Sequence, residues 1–406
     1  MNELKQKIKE LVIEHFEEVV AIRRHIHMHP ELSFKEFETS KDVCSILDKY
    51  KIPYTKNIVE TGIIAIIEGN NPHQKTILLR ADLDALPILE TNNAPYKSTY
   101  DGVMHACGHD VHTSSTLGTC IILNKLKQNF NGTIKIMFQP GEEVLPGGAS
   151  LMINEGVLNN PKVNFALAQH VFPSMEKGKV GFRNGMYMAS TDELHVTING
   201  KGGHAAMPTE YNNPLNIAAK IITQIESEFQ FYIDEEGVSR NKENKIPTVI
   251  AFGKIEGKGA TNVIPASVYI AGTMRTMNEE WRAEIKQKLT SIITQICKAN
   301  HATSEINIEN GYPFLINDVD FTNRCKKLAI EYLGAENVED LPLRMTAEDF
   351  AYITQKVPSC FYRIGTGNKS KGITSGVHTS TFDIDEEALI TSTGLMAWLT
   401  INELKN

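Results

Sequence analysis

Residues 104–113, MHACGHDVHT, contain the densest group of metal-binding side chains in the chain. Five such side chains fall within eight positions, namely His105, Cys107, His109, Asp110 and His112. Imidazole nitrogen and thiolate sulfur are good ligands for divalent ions of intermediate softness. If the segment is extended, Cys107 and His109 point to the same side and both can reach one ion. The segment therefore predicts a metal site, although His112 could equally hydrogen-bond a neighbour.

Two adjacent glutamates follow a strongly apolar run. The pattern of 132–138 predicts a strand, and the QPGEE motif after it contains a proline and a glycine that force a turn. Glu142 and Glu143 are thus expected on a loop at the end of a strand. At such a place one carboxylate can bind a metal while its neighbour acts as a base toward the attacking water.

Two further histidines are candidates on weaker grounds. His170 ends the apolar run 165–170, where a hydrogen-bonded core histidine is the commoner interpretation of such a residue taken alone. His378 lies in the small-residue loop 373–381, where a core role is not expected. Both are candidate metal ligands.

The RADLDALP segment offers carboxylates near another strand end. Asp82 and Asp84 follow an apolar run and could orient metal ligands from behind, or could cap a helix or a turn. The alternating His25, His27 and His29 are a different case. The helical pattern before them would point positions 25 and 27 apart, which argues against a metal site there.

Composition and charge exclude several classes of protein. The chain has 406 residues, 41% of them hydrophobic and 22% charged, as in ordinary soluble globular proteins. A net charge of -8 argues against a dedicated nucleic-acid or anionic-membrane binder. The charged N-terminal pattern is not a signal peptide, and no run approaches the roughly 18 apolar residues of a membrane span. The six cysteines form no CxxC pair and no disulfide framework, which predicts a reducing, cytoplasmic location.

The elements that must position the candidate residues form two patterns. In the first, apolar strands alternate with helices: strands at 62–68, 76–80, 132–138 and 165–170, and helices at 3–24, 35–49 and 112–127. This alternation predicts an α/β fold with a mainly parallel central sheet covered by helices on both faces. Ligand sites of such sheets cluster where strands end and loops begin.

From about residue 190 the pattern changes to βαββαβ, the order of a ferredoxin-like unit. The predicted strands are 192–199, 247–256, 266–275 and 303–310, and the predicted helices are 213–229 and 279–298. We therefore expect an inserted α+β domain. The expected domains are 1–187 and 311–406, which together form the larger one, and the insert at 188–310.

Three residues of the expected insert could bind an anionic group. His204 lies in a glycine-rich turn, and Asn262 and Arg275 lie in loop or strand-end positions. Each has an ordinary structural explanation by itself. Together they offer donors for an oxyanion or a carboxylate.

With these segments taken together, the chain resembles the M20 family of metallopeptidases. The resemblance is strongest to its amidohydrolase branch of N-acyl-amino-acid hydrolases, hippurate hydrolases and N-acetyldiaminopimelate deacetylases. It spans nearly the whole chain through ordered blocks at 80–87, 104–113, 138–143, 200–208, 261–265, 346–350 and 378–386.

The resemblance implies a binuclear site and a role for each candidate residue. The implied metal ligands are Cys107, His109, Glu143, His170 and His378. Glu142 would be the general base, with Asp84 behind the ligands. His204 would meet the substrate's carbonyl oxygen, and Asn262 and Arg275 its carboxylate.

The resemblance also implies cofactors, partners and a substrate. Two divalent ions are expected, Zn(II) or Mn(II) first and Co(II) or Ni(II) as alternatives. The ferredoxin-like lid would pair two subunits into a homodimer whose partner lid supplies the histidine. The expected reaction is hydrolysis of the amide bond of N-acetyl, N-benzoyl or similar amino acids. The alternative within the family is a dipeptidase or carboxypeptidase acting on short peptides.

Two departures from the family pattern and two other functions remain open. Ser380 stands where relatives often carry proline, and Ala347 lies in a block that commonly reads Gly-Ser-Glu-Asp-Phe; both bear on substrate range. A nucleophilic Cys107 with a histidine base would resist chelators and react with alkylating agents. A non-catalytic metal-binding protein would not need both Glu142 and Glu143.

Overall fold

The structure, a computed structural model, describes residues 2–405 and divides into two compact units. The first unit comprises the residues up to Gly185, Ile316–Leu341 and the residues from Asp349 onward. The second comprises Met186–Leu315 and Pro342–Glu348. Within residues 2–405, none of the helices combines the length and the apolar character that crossing a bilayer requires.

The helices and strands follow one another along the chain in three stretches. The first contains α1 (Asn2–Met28), α2 (Phe37–Lys49), β1 (Tyr54–Ile58), β2 (Gly62–Glu68), β3 (Thr76–Asp82), α3 (His109–Lys125), β4 (Thr133–Gln139), α4 (Gly148–Asn154), β5 (Phe165–Glu176), β6 (Val180–Phe182) and β7 (Gly185–Met188). The second contains β8 (Asp192–Asn199), β9 (Gly203–His204), α5 (Pro214–Phe229), β10 (Phe231–Ile233), β11 (Ser239–Asn241), β12 (Thr248–Glu256), β13 (Val263–Ile264), β14 (Ser267–Thr276), α6 (Glu279–Ala299) and β15 (Thr303–Asn310). The third contains β16 (Leu315–Asn317), α7 (Val319–Leu333), β17 (Val338–Asp340), α8 (Ala351–Thr354), β18 (Ser359–Gly367) and α9 (Ala388–Lys405).

The first unit is built on an eight-stranded sheet in the order β1-β2-β4-β3-β5-β18-β6-β17. β3 runs parallel to β4 on one side and to β5 on the other, and β5 runs parallel to β18. Every residue of β3, β4 and β18 is buried, as the uninterrupted apolar runs require. The predicted α/β fold with a mainly parallel, covered sheet is confirmed.

Helices α3 and α9 form the inner layer on this sheet. All of α3 from His109 to Leu123 is buried, and so is nearly all of α9. A helix that is buried on every side belongs to an interior rather than to a surface. Helix α1 covers both, with Val12 and Val19 among its buried residues. The first turn of α3, which carries candidate site residues, is therefore held rigidly against the sheet.

The second unit is a four-stranded antiparallel sheet in the order β12-β14-β8-β15. Along β8, Leu194, Val196 and Ile198 are buried and alternate with more exposed residues, so only one face is covered. The apolar sides of α5 and α6 pack in the same core cluster. This strand order with two helices is the ferredoxin-like arrangement.

The two units differ from the expected division at their edges. Residues 186–187, 311–315 and 342–348, which we had assigned to the larger domain, group with the second unit. The last of these segments pairs through Arg344, whose backbone N–H donates to the carbonyl of Tyr187 at 3.0 Å and whose carbonyl accepts from Ala189. The segment 342–348 is too short to show a sequence pattern that would assign it to one domain or the other.

Candidate active site

Parallel strands bring the candidate carboxylates and histidines to one edge of the main sheet. β3 ends at Asp82 and β4 ends at Gln139, and the register pairs these two residues. The turn that carries Glu142 and Glu143 follows β4 directly. His170 lies in β5, the other parallel neighbour of β3. β5 continues to Glu176, so His170 lies within the strand. We had expected His170 at the end of the strand.

Cys107 and His109 flank Gly108, the residue before helix α3. Gly108 has a φ of +82°, and His109 is the first residue of the helix. The prediction of an extended segment is therefore wrong. The two side chains converge because the chain turns sharply at Gly108. A Cβ there would lie 2.7 Å from the Val171 side chain, so glycine also permits the close approach to β5.

His378 is held in place by a loop with an unusual conformation. Its φ is +60°, which is uncommon for a residue other than glycine. The His378 N–H donates to the carbonyl of Ala106 at 2.7 Å, next to Cys107. Two residues on, the carbonyl of Ser380 accepts from the N–H of Thr91 at 2.8 Å, and their hydroxyls lie 3.1 Å apart. These bonds fix the loop at the position where relatives often have proline.

The five residues expected to bind metal lie together. The Cys107 sulfur is 3.5 Å from Nε2 of His170 and 3.3 Å from Nε2 of His378. Oε1 of Glu143 is 3.3 Å from the same His378 nitrogen and 3.8 Å from Nε2 of His109. These donors form two groups, Cys107 with His109 and His170, and Cys107 with Glu143 and His378, each with its ligand atoms within 4.8 Å of one another.

Hydrogen bonds around this cluster hold its two buried histidines with Nδ1 turned outward and Nε2 turned inward. Nδ1 of His109 lies 3.2 Å from Oδ1 of Asp84, and Nδ1 of His170 lies 2.8 Å from the carbonyl oxygen of Val171. Nδ1 is the hydrogen-bond donor in both contacts, so each neutral ring carries its lone pair on Nε2. Nε2 of His109 and Oε1 of Glu143 are buried and make no hydrogen bond within residues 2–405. A bound cation can satisfy buried lone pairs that accept no hydrogen bond, so these residues fit a metal site.

The electrostatics of the cluster argue against a nucleophilic cysteine. Burial raises the pKa of the Cys107 thiol well above its ordinary value, and the charge of Glu143 raises it further. An activated cysteine nucleophile needs the opposite, a lowered pKa in electropositive surroundings, whereas a bound metal cation itself deprotonates a coordinating thiol.

Two aspartates lie behind the metal-binding side chains, and Asp84 orients one of these candidate ligands. Asp84 accepts from His109 through Oδ1, and its two oxygens also accept the backbone N–H groups of Glu142 and Glu143 at 3.1 and 3.0 Å. Asp82 lies 2.6 Å from Nδ1 of His112, whose Nε2 accepts the Val171 N–H at 3.0 Å. His112 therefore uses both nitrogens in hydrogen bonds and is not free to bind a metal.

Comparison with known proteins supports the resemblance drawn from the sequence. Residues 78–400 match the model of peptidase family M20/M25/M40. The chain belongs to this family. Thermostable carboxypeptidase 2 of Saccharolobus solfataricus is 36% identical over 95% of this chain and 95% of its own. N-acetyl-L-cysteine deacetylase of Bacillus subtilis is 35% identical over 92% of this chain and 85% of its own.

A solved structure agrees with the match at the level of the fold. The dinuclear metal-binding peptidase of the M20 family from Bacillus subtilis superposes with a TM-score of 0.80, at 30% identity over 96% of this chain and 99% of that one. The predicted family is thus confirmed, and this M20 chain is a metal-dependent hydrolase.

Glu142 lies beside a buried polar network that the sequence analysis missed. Its Oε1 lies 3.4 Å from the backbone nitrogen of Asp349. The Asp349 carboxylate accepts from Arg80 at 2.8 Å and from the Gln139 amide at 2.7 Å. It also accepts the N–H of Ala149 at 3.0 Å, so it ties both ends of the turn together. The sequence signal that could have revealed this network is the presence of Arg80 and Gln139 in otherwise apolar strands.

The second missed group lies beneath the first turn of α3. Arg23 is fully buried, and its Nε donates to Asp110 at 2.7 Å. Nδ1 of His27 lies 2.8 Å from the same carboxylate, and its Nε2 lies 3.4 Å from Glu90. His27 is therefore part of a buried ion network, in agreement with our argument against a metal role.

The remaining expected site residues lie in the second unit. His204, on β9, is exposed, and its neighbour Ala205 donates an N–H to the carbonyl of Asn262 at 3.0 Å. Arg275 is half-buried on β14 and donates to the carbonyl of Met345 at 3.1 Å. Burial lowers the pKa of Arg275. The structure thus places His204 beside Asn262 on paired segments of the unit.

Proposed function

We propose that this M20 chain is a two-metal amidohydrolase that cleaves the amide bond of N-acyl amino acids. The observation that carries the proposal is the cluster of five candidate metal-binding side chains, in which two buried atoms, Nε2 of His109 and Oε1 of Glu143, have no hydrogen-bond partner within residues 2–405. The two donor groups share only Cys107. That arrangement suits a pair of ions better than one four-coordinate ion.

Cys107, His109, Glu143, His170 and His378 would hold the two ions. A solved relative described as dinuclear supports the number. Thiolate and imidazole ligands favour Zn(II), and the carboxylate makes Mn(II) the next choice, with Co(II) or Ni(II) as alternatives. When bound, the ions would polarise the scissile carbonyl and lower the pKa of the attacking water.

Glu142 would act as the general base. It would accept a proton as the water oxygen attacks the amide carbon, and would deliver that proton to the nitrogen when the C–N bond breaks. The products are a carboxylic acid and an amine, so no other reactant is needed. The Asp349 N–H near its Oε1 would hold the carboxylate in place.

Binding of the substrate would fall to the second unit. His204 would stabilise the developing oxyanion, and Arg275 with Asn262 would bind the free carboxylate of the amino acid. We propose that His204 is supplied by the partner in a homodimer formed through the ferredoxin-like unit. Small amide substrates and a cytoplasmic location complete the proposal.

The family also supports a second candidate, cleavage of short peptides. The carboxypeptidase of Saccharolobus solfataricus is as similar to this chain as the deacetylase of Bacillus subtilis, with 36% and 35% identity. Both reactions hydrolyse an amide next to a free carboxylate and would use the same site. The two candidates differ only in the acyl side of the substrate.

A substrate panel measured before and after metal removal tests the proposal. We expect N-acetyl and N-benzoyl amino acids to be hydrolysed faster than dipeptides with the same C-terminal residue. Chelation should abolish both activities, and Zn(II) or Mn(II) should restore them. Hydrolysis that survives complete metal removal would refute the two-metal function, and a preference for dipeptides would favour the second candidate.

A further inference from the structure

Three successive backbone N–H groups of the turn after β4 are bound by two buried carboxylates. The N–H groups of Glu142 and Glu143 donate to the two oxygens of Asp84. The N–H of Gly141 donates to Oε1 of Glu36 at 2.9 Å. Asp84 was expected near the metal ligands, whereas Glu36 had no predicted role. The conformation of the turn therefore depends on a residue 105 positions earlier in the chain.

Glu36 occupies a position in which a carboxylate is costly. Its exposed fraction is 0%, and its hydrogen bonds come from neutral donors. Oε1 also accepts the N–H of Phe34 at 2.8 Å, and Oε2 accepts the hydroxyl of Thr61 at 2.7 Å. A buried carboxylate that lacks a paired cation loses solvation energy that neutral hydrogen bonds only partly offset. Both oxygens of Glu36 are instead used as acceptors, by the N–H groups of Phe34 and Gly141 and by the hydroxyl of Thr61.

The connector between α1 and α2 touches the turn at further points. Ser33 donates its hydroxyl to Oδ2 of Asp84 at 2.6 Å. The ring of Phe34 lies against Gly141, where a Cβ would overlap it, and the φ of Gly141 is +56°. Ser33, Phe34 and Glu36 thus contact the turn or the aspartate that binds it. The contacts converge on the backbone just before Glu142.

We propose that Glu36 is a positioning residue for the turn that carries Glu142. The Gly141 N–H has its acceptor in Glu36, which sets the direction in which the chain enters the Glu142–Glu143 pair. This inference rests on the proposed role of Glu142 as the base. Removing a hydrogen-bond partner that orients the groups of a metal site commonly lowers activity or metal affinity by about 10–100-fold.

Variants of Glu36 separate positioning from a general effect on stability. In Glu36→Ala the Gly141 N–H loses its acceptor, so we expect kcat to fall by about 10–100-fold with KM within about twofold. Metal content should be unchanged, because Asp84 still orients His109. Glu36→Gln should recover most of kcat, since its amide oxygen can accept from Gly141 and its NH2 group can donate to Thr61.

Glu31→Ala is the matched control on the same connector. The Glu31 carboxylate accepts from the N–H and the hydroxyl of Thr39 at 2.8 and 2.9 Å, at the start of α2, and does not contact the turn. We expect this variant to lose stability but to keep the wild-type kcat. Hydrogen exchange of the peptide that contains Gly141 gives a readout independent of activity. Exchange there should be faster in Glu36→Ala than in the wild type, and unchanged in Glu31→Ala.

The outcomes distinguish this inference from the proposed function. A folded Glu36→Ala variant with kcat within twofold of wild type, or equal losses in the Gln and Ala variants, would overturn it. If Glu36→Ala does not fold, Glu36→Asp replaces it, because the shorter side chain withdraws the acceptor from Gly141. If the wild type hydrolyses no amide, the proposed function fails. The exchange of Gly141 then still shows whether Glu36 holds the turn.

Discussion

Arg23 and Arg24 are adjacent, contact the same carboxylate and should differ sharply in their effect on stability. Arg23 has a side chain with 0% exposure and donates to Asp110, which is equally buried. It also lies 3.2 Å from Asp383 and 3.5 Å from Glu386. Arg24 is 46% exposed and pairs with Glu386 at 2.6 Å.

Replacing Arg23 by Met leaves the Asp110 carboxylate buried without its strongest partner. Breaking a buried pair in this way costs about 3–5 kcal/mol. Replacing Arg24 by Met removes a bidentate pair whose arginine is 46% exposed, which is worth about 1 kcal/mol. Adding Asp110→Asn to Arg23→Met should recover part of the loss, because the uncompensated charge is then removed as well.

Urea unfolding followed by tryptophan fluorescence measures the difference. The chain has two tryptophans, Trp281 in the second unit and Trp398 in the first. On a Trp281→Phe background, Trp398 reports unfolding of the unit that contains Arg23. Equal shifts for Arg23→Met and Arg24→Met would refute the claim that burial makes the Asp110 pair decisive.

Two further predictions concern the turn after β4. Burial beside Asp84 raises the pKa of Glu36 from 4.5 to about 7, so its contribution to stability is complete below pH 4.5 and is lost as the pH rises through 7. The free energy of unfolding of Glu36→Gln should therefore rise relative to that of the wild type by about 3 kcal/mol between pH 4.5 and about pH 8. Urea titrations of both proteins at each pH measure this difference, and a difference that does not change with pH would contradict the prediction. Gly141→Ala should lower kcat by about tenfold or more, because its Cβ meets the Phe34 ring. Gly372→Ala, with a φ of +74° and open space at its Cβ, should cost only about 1–2 kcal/mol of stability and leave kcat unchanged; equal kcat values in the two variants would sink the argument.

Much of the fold could be predicted because local patterns decide it. The apolar run at 76–80 had to be a covered strand, and its parallel neighbours place Asp82 and the glutamate pair at one edge. The period-two burial of β8 likewise follows from its sequence. Both predictions needed only neighbouring residues and the requirement to bury apolar surface.

The site was predicted less completely because its support is non-local. The spacing of Cys107 and His109 identified them as candidate ligands. Their side chains converge, however, because the chain turns at Gly108 and not because the segment is extended. Gln139 binds Asp349 across 210 positions, and no local pattern links them. Residues that support a site through hydrogen bonds to distant parts of the chain can be identified only from the folded structure.

The two adjacent glutamates, Glu142 and Glu143, have different roles in the proposed mechanism. We expect Glu142→Gln to keep the metal content of the wild type while kcat falls by about 10²–10⁴-fold, the usual contribution of a general base. Glu143→Gln should instead lose bound metal, because its Oε1 is one of the buried donors. Metal analysis and kcat measured on both variants decide the matter. A Glu142→Gln variant that turns over substrate at the wild-type rate would contradict the assignment of the base.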